Sequence, residues 1–272
     1  MPGRFGGRAA ARRGLPHLRS QPGACSEQGS PVSTVRADEV GRFERLAATW
    51  WDSRGPMRPL HVVNTLRMGF VLEQIARRFE RPPGALQPLR IADIGCGAGL
   101  MCEPLAQRGA GVVGIDAAAS NIAAARLHAQ AGGLRIDYRV GEPRAALRPG
   151  ERFDVLLLLE VVEHVADVPA FVRDAAAHLA PGGLLLASTL NRTLRSYLAA
   201  IVGAEMVFRV LPRGTHRWAQ FVRPEELAQA AGACGLQPLE GRGMAYLPAV
   251  HRAWWTRSQS VNYIAGFGKP RS

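Results

Sequence analysis

The sequence predicts an α/β protein built on a doubly wound, mostly parallel sheet, and three observations carry that expectation. From residue 89 onward, strand-length apolar runs alternate with segments of helical period. Residues 153–159, FDVLLLL, are almost continuously apolar, as a central parallel strand buried on both faces requires. Residues 89–100, LRIADIGCGAGL, pass from apolar strand to glycine loop to helix, the kind of turn on which such sheets hold a small ligand.

In chain order, residues 1–36 hold Arg4, Arg8, Arg12, Arg13, Arg19 and Arg36 against one acid, Glu27, among Gly, Pro and Ser, a composition that predicts disorder. The same character fits a mitochondrial transit peptide. It fits better an upstream start ahead of a bacterial chain beginning near Val32. Residues 37–272 then read as one domain. Val40, Phe43, Leu46 and Ala47 recur at helical spacing towards Trp50 and Trp51. A second helix is predicted over about 64–79, with Leu66, Phe70, Val71, Ile75 and Phe79 on one side and Pro82 and Pro83 ending it. Helices ahead of the first strand can close over a ligand pocket or simply pack.

GAGVVGIDA (109–117) reads as strand two, ending in Asp116, and Ser120 or Asn121 can cap a helix running to Gln130. LRIDYRV (134–140) is strand three and 153–159 strand four. A helix over 168–179 follows, then PGGLLLAST as a turn and strand five. Residues 224–235 form a helix opened by Pro224, and GLQPLEGRGMAYLP and VNYIAGFGKP close a sheet of seven strands. Residues 191–223 are an insertion after strand five. There the apolar YLAAIVGAEMVF stands with Arg192, Arg195, Arg209, Arg213, Arg217 and Arg223 against one acid, Glu205. Such a segment fits an anionic membrane interface as well as a helix covering the site.

With 47% apolar residues in 272, the chain can bury one substantial core, and no run is long and uncharged enough for a transmembrane helix. Cys25, Cys96, Cys102 and Cys234 form no CxxC pair, which argues against a disulfide framework or a zinc ribbon. The net charge of +12 admits nucleic acid or anionic lipid as a partner. About half of that excess lies in residues 1–36 and no base-flipping motif accompanies it, so no nucleic acid is expected.

The chemistry concentrates at two places. Asp93 precedes Gly95, Gly97 and Gly99, whose GxGxG spacing differs from the GxGxxG of dinucleotide sites, and the loop carries no phosphate-binding lysine. Asp116, at the next strand end, can accept both hydroxyls of a ribose. After strand four, LLLLEVVEHV supplies Glu160, Glu163 and His164. In a helix starting there, the three share one face at i, i+3 and i+4 and could hold a divalent cation or set up a general base.

DIGCGAG with Asp116 resembles the S-adenosylmethionine-dependent methyltransferases of the Rossmann-like class I. FERLAATWWD, PLHVVNTLR, ExxEHV, PGGLLLASTLNRT, VGAE, LPRGTH and VNYIAGFGK narrow this over residues 37–269, where the chain resembles the ubiquinone-biosynthesis O-methyltransferases. The resemblance implies S-adenosylmethionine as cofactor and methylation of catechol-type hydroxyls on polyprenylated ring intermediates at both O-methylation steps. It implies cofactor contacts from Arg67, Gly95, Asp116 and Leu159, joined by Asp93 and Gly97 of the same loop. A magnesium site from Glu160, Glu163 and His164 is implied too, with His164 the candidate base beside Glu160 where no metal is bound. Peripheral attachment to the cytoplasmic face of a bacterial inner membrane follows, or to the matrix side of the mitochondrial one, near other ubiquinone-biosynthesis proteins. Ala98, Thr65 and Leu159 depart from the usual glycine, proline and methionine without removing a charge, and Glu142, in an atypical GEPR context, is left unassigned. The competing readings are a class I methyltransferase for another small molecule or RNA, and a non-enzymatic scaffold.

Overall fold

The computed structural model describes residues 49–192 and 221–271, all within the compact unit Ser33–Ser272. The predicted disorder of 1–36, almost all of the first amphipathic helix and most of the insertion at 191–223 lie outside the described residues.

Helix α1 (Arg58–Arg78) leads into β1 (Arg90–Ile94), α2 (Cys102–Gln107), β2 (Gly111–Asp116), α3 (Ala119–Ala131) and β3 (Asp137–Val140). The single turn α4 (Pro143–Ala146), β4 (Phe153–Leu159), α5 (Val168–Ala176) and β5 (Leu179–Leu190) follow. After the insertion come α6 (Pro224–Gly232), β6 (Gln237–Leu247), β7 (Arg252–Thr256) and β8 (Asn262–Gly268). The sheet runs β3-β2-β1-β4-β5-β8-β6-β7. Strands β1 to β5 pair in parallel, and β8, β6 and β7 add antiparallel. The chain reverses its direction of winding between β1 and β4, so the carboxyl ends of these two strands flank the crevice where a doubly wound sheet takes its ligand.

The sheet has eight strands where the sequence predicts seven. The extra one, β7, folds back on β6 through His251, which adopts the left-handed conformation at φ +47°. Its Trp255 packs against Phe70 of α1, ring centroids 5.6 Å apart, with the Arg242 guanidinium over the indole. Aromatic burial thus supplies what a five-residue segment without β-branched alternation does not announce. Helix α1 starts six residues earlier than predicted, with Pro59 in its first turn, where a missing N–H is harmless.

Both faces of the sheet are buried, and β4 shows how. Leu156 and Leu158 face Phe171 and Val172 of α5 and Leu227 of α6. Val155, Leu157 and Leu159 face Phe70 and Ile75 of α1, Leu105 of α2 and Ile122 of α3. The period-two alternation of an all-apolar strand fills both layers at once. At its start α5 is capped by Asp167, whose carboxylate accepts from the Ala170 N–H at 2.9 Å.

Candidate functional site

The glycine loop closes β1 by a tight turn in which the N–H groups of Gly95 and Cys96 both donate to the Ile115 carbonyl of β2, at 2.7 and 2.9 Å. Gly95 and Gly97 stand at φ +80° and +54°, and neither has room for a side chain. A Cβ on Gly95 would lie 2.5 Å from Val161 Cγ2, and one on Gly97 2.6 Å from Trp50 Cη2. Only glycine meets both constraints, and its absence of a side chain lets Val161 and Trp50 pack directly on the loop backbone.

Asp116 ends β2 at this loop. Its Oδ2 accepts from the Gly97 N–H at 2.9 Å, and its Oδ1 accepts from the Ala118 N–H at 2.9 Å and from Asn121 Nδ2 at 3.1 Å. Burial raises its pKa, opposed by those same donors and by the nearby His164. Neither Ser120 nor Asn121 caps α3 as predicted. Asn121 is committed to Asp116 and, through Oδ1, to the Trp50 indole N–H at 2.9 Å. Asp93 lies beneath the loop, 2% exposed, with the Cys102 thiol donating to it at 3.3 Å. Burial pushes its carboxyl up to about 7.

After β4 the structure departs from the sequence reading. No α-helix begins at Glu160. That residue takes the left-handed conformation, φ +56°, and a single 3-10 turn, Val162–His164, follows. The i, i+3, i+4 face therefore does not form, and the three side chains take separate roles. Glu160 accepts an ion pair from the buried Arg67, Nη2 to Oε1 at 2.6 Å, and a hydrogen bond from Ser188 at 3.0 Å. Arg67 Nη1 donates to Asn64, and its Nε is buried with no partner among the described residues. Glu163 is 3% exposed and accepts from Thr189 Oγ1 at 2.7 Å. Burial and the Glu160 charge push its pKa up to about 7 against the pull of His164.

These donors do not make a magnesium cage. Among the described residues no group of three or more His, Cys, Asp or Glu side chains is placed to share an ion. Magnesium would have to take Glu160 from Arg67 and Ser188 and displace Thr189 from Glu163. Sequence reasoning also missed Trp50, Asn121, Ser188 and Thr189 as partners of site residues. Only the motif STLNRT singled out the last two.

The raised Glu163 pKa has a measurable consequence. Unfolded, the group titrates near its ordinary 4.5; folded, it titrates at about 7, so the native state binds the proton more tightly. Its contribution to stability is full below pH 4.5 and is lost as pH rises through about 7. Thermal melts from pH 5 to 8.5 are expected to fall with pH, and Glu163→Gln to flatten the fall and gain on the parent at the alkaline end. Asp93, also raised to about 7, leaves a residual slope. A Glu163→Gln curve parallel to the parent would contradict this assignment.

A family model described as a methyltransferase domain matches residues 66–240. The ubiquinone biosynthesis O-methyltransferase of Methylobacterium nodulans is 49% identical over 240 residues, covering 87% of this chain and 96% of that one. The chain belongs to the ubiquinone biosynthesis O-methyltransferases. The relative of the same name from Cereibacter sphaeroides is 47% identical over 249 residues, spanning 89% of this chain and all of that one. This methyltransferase therefore catalyses S-adenosylmethionine-dependent O-methylation in ubiquinone synthesis, as the sequence motifs imply.

The class I fold is equally plain. Magnesium protoporphyrin IX methyltransferase from Synechocystis PCC 6803, solved with bound SAH, superposes with a TM-score of 0.59 at 20% identity over 84% of this chain and 94% of that one. The N-methyltransferase NodS from Bradyrhizobium japonicum, also in complex with SAH, gives 0.55 at 19% over 85% and 98%. No described helix of the methyltransferase is long and apolar enough to cross a membrane.

Proposed function

We propose that this methyltransferase performs both O-methylations of the pathway, on a polyprenylated catechol and on a demethylated quinol, within one site at the carboxyl ends of β1, β2 and β4. The observation that carries the reading is the convergence there of the glycine-rich loop, the triply held Asp116 carboxylate and the Glu160–His164 turn. S-adenosylmethionine fits this strand-end turn, where the Asp116 carboxylate stands as a ribose acceptor, and when bound it would supply an electrophilic methyl group.

The chain's own residues do the rest. Asp116 accepts the ribose hydroxyls, Gly95 and Gly97 make the tight turn that holds it at the β1 end, and Leu159 and Asp93 shape the floor. Arg67 Nε is the donor left over for the cofactor's carboxylate. His164 receives the proton of the attacking ring hydroxyl. Glu163 beside it favours the imidazolium that forms, so the oxygen attacks as it becomes an oxyanion. Magnesium does not fit the commitments of Glu160 to Arg67 and Ser188 and of Glu163 to Thr189. The basic, apolar segment 191–223 docks on an anionic membrane surface, on the cytoplasmic face of a bacterial inner membrane, bringing the site to substrates whose tails lie in lipid.

Methyl transfer to short-chain catechol and demethylated quinol analogues, with and without EDTA, tests the reading. Transfer to both, unchanged by EDTA, is the expected result. Transfer to neither by cofactor-loaded protein would sink the substrate assignment, and an EDTA loss restored by magnesium would return the metal to the site.

A further inference from the structure

We propose that Trp50 is a positioning residue for cofactor binding, acting through the Asn121 amide on the Asp116 carboxylate. The inference rests on the reading of Asp116 as the ribose acceptor. An asparagine amide can turn either its oxygen or its NH2 towards a neighbour, whereas an indole N–H can only donate. Trp50 Nε1 donates to Asn121 Oδ1 at 2.9 Å, which turns Asn121 Nδ2 to Asp116 Oδ1 at 3.1 Å. Trp50 and Asn121 are 7% and 1% exposed, so water does not substitute for either bond. The same indole rests on the loop, its Cη2 2.6 Å from where a Gly97 Cβ would stand, and the Gly97 N–H holds the other oxygen of Asp116 at 2.9 Å.

One side chain, 66 residues before Asp116, thereby sets two of the carboxylate's three protein bonds: one through Asn121 and one through the loop. Without the indole N–H, the amide loses the partner that fixes its orientation. Its oxygen can then face the carboxylate, replacing a donor with a repulsion. The groups that bear on Asp116 from its surroundings, Asp93 and Cys96 at the β1 end and His164 after β4, are untouched by this change.

The test is calorimetric titration of the full chain with S-adenosylhomocysteine for the parent, Trp50→Phe, Asn121→Ala, the double variant and Asp116→Ala. Phenylalanine removes the donor and also trims the outer edge of the indole over Gly97, so Asn121→Ala, which leaves the indole in place, is the control for lost packing. Trp50→Phe and Asn121→Ala are each expected to weaken binding about tenfold, and the double variant no more than the worse single. The acid limb of affinity is expected to move up by about half a pH unit in Trp50→Phe, because Asp116 has lost a donor, a shift that looser packing alone would not produce. Binding within twofold of the parent in Trp50→Phe, or effects that multiply in the double variant, would overturn the proposal. Should Trp50→Phe not fold, Asn121→Ala decides alone by the same twofold limit. If Asp116→Ala binds like the parent, the ribose reading fails; if it loses binding while Trp50→Phe does not, only the positioning role fails.

Discussion

Replacing Gly97 with alanine is expected to lower the melting temperature by roughly 5–10 °C and to weaken cofactor binding at least tenfold. Two costs combine. At φ +54° an L side chain carries a penalty of about 1–2 kcal/mol. The new methyl would also stand 2.6 Å from Trp50 Cη2 and 2.8 Å from Cζ3, far inside contact distance, against a buried ring. Forcing that ring aside costs about 1–3 kcal/mol as overpacking. The ring cannot move freely, because its Nε1 is bonded to Asn121 and through it to Asp116. Strain at the loop therefore reaches the carboxylate, and affinity falls with stability. Adding Trp50→Ala to Gly97→Ala removes the clash but also the indole donor and a buried ring, whose truncation costs about 3–5 kcal/mol, so neither melting temperature nor affinity is expected to recover. Thermal melts of the ligand-free protein beside calorimetric titration separate the two, and a Gly97→Ala variant that binds like the parent would show that strain at the loop does not reach the Asp116 carboxylate.

What the sequence revealed and what it hid follow from the range of the interactions. The glycine loop, Asp116 at the next strand end and the buried strand 153–159 are written in local pattern, so the parallel half of the sheet and the place of the site were readable. The fate of Glu160 was not. Its assignment to a shared face with Glu163 and His164 assumed a helix directly after β4. The chain instead turns through a left-handed residue, which no spacing rule predicts for glutamate. The partners that replaced the imagined cluster are distant in sequence: Arg67 to Glu160 across 93 residues, Glu163 to Thr189 across 26 and Trp50 to Asn121 across 71. Hydrogen bonds of that range are made by topology, and they decide which carboxylates are engaged and which donors are left over for a ligand. Strand β7 was hidden for the same reason, since its pairing depends on Trp255 finding Phe70 on α1.

Removing the charge of Glu160 is expected to destabilise the ligand-free fold by about 3–5 kcal/mol, with Arg67 rather than Glu160 as the cause. Arg67 is 1% exposed and cannot shed its proton, so Glu160→Gln leaves a full positive charge buried against a neutral amide and Asn64. Arg67→Met removes that charge and keeps most of the volume. The Glu160 side chain left behind is 23% exposed and still bonded by Ser188, so this variant is expected to lose less. Combining the two replaces the pair by uncharged groups of similar size and is expected to recover most of the loss, because a well-packed neutral pair can match a buried ion pair. Urea unfolding without cofactor keeps ligand linkage out of the comparison. The expected order of loss is Glu160→Gln first, Arg67→Met second and the double variant last. If instead the two losses add in the double variant, the ion pair is not what the fold depends on. The stability would then reside in the left-handed turn at Glu160, held by its backbone N–H to the Ser188 carbonyl at 2.9 Å, and Glu160→Gly, which relaxes that turn while exposing Arg67 in the same way, would prove stabilising rather than costly.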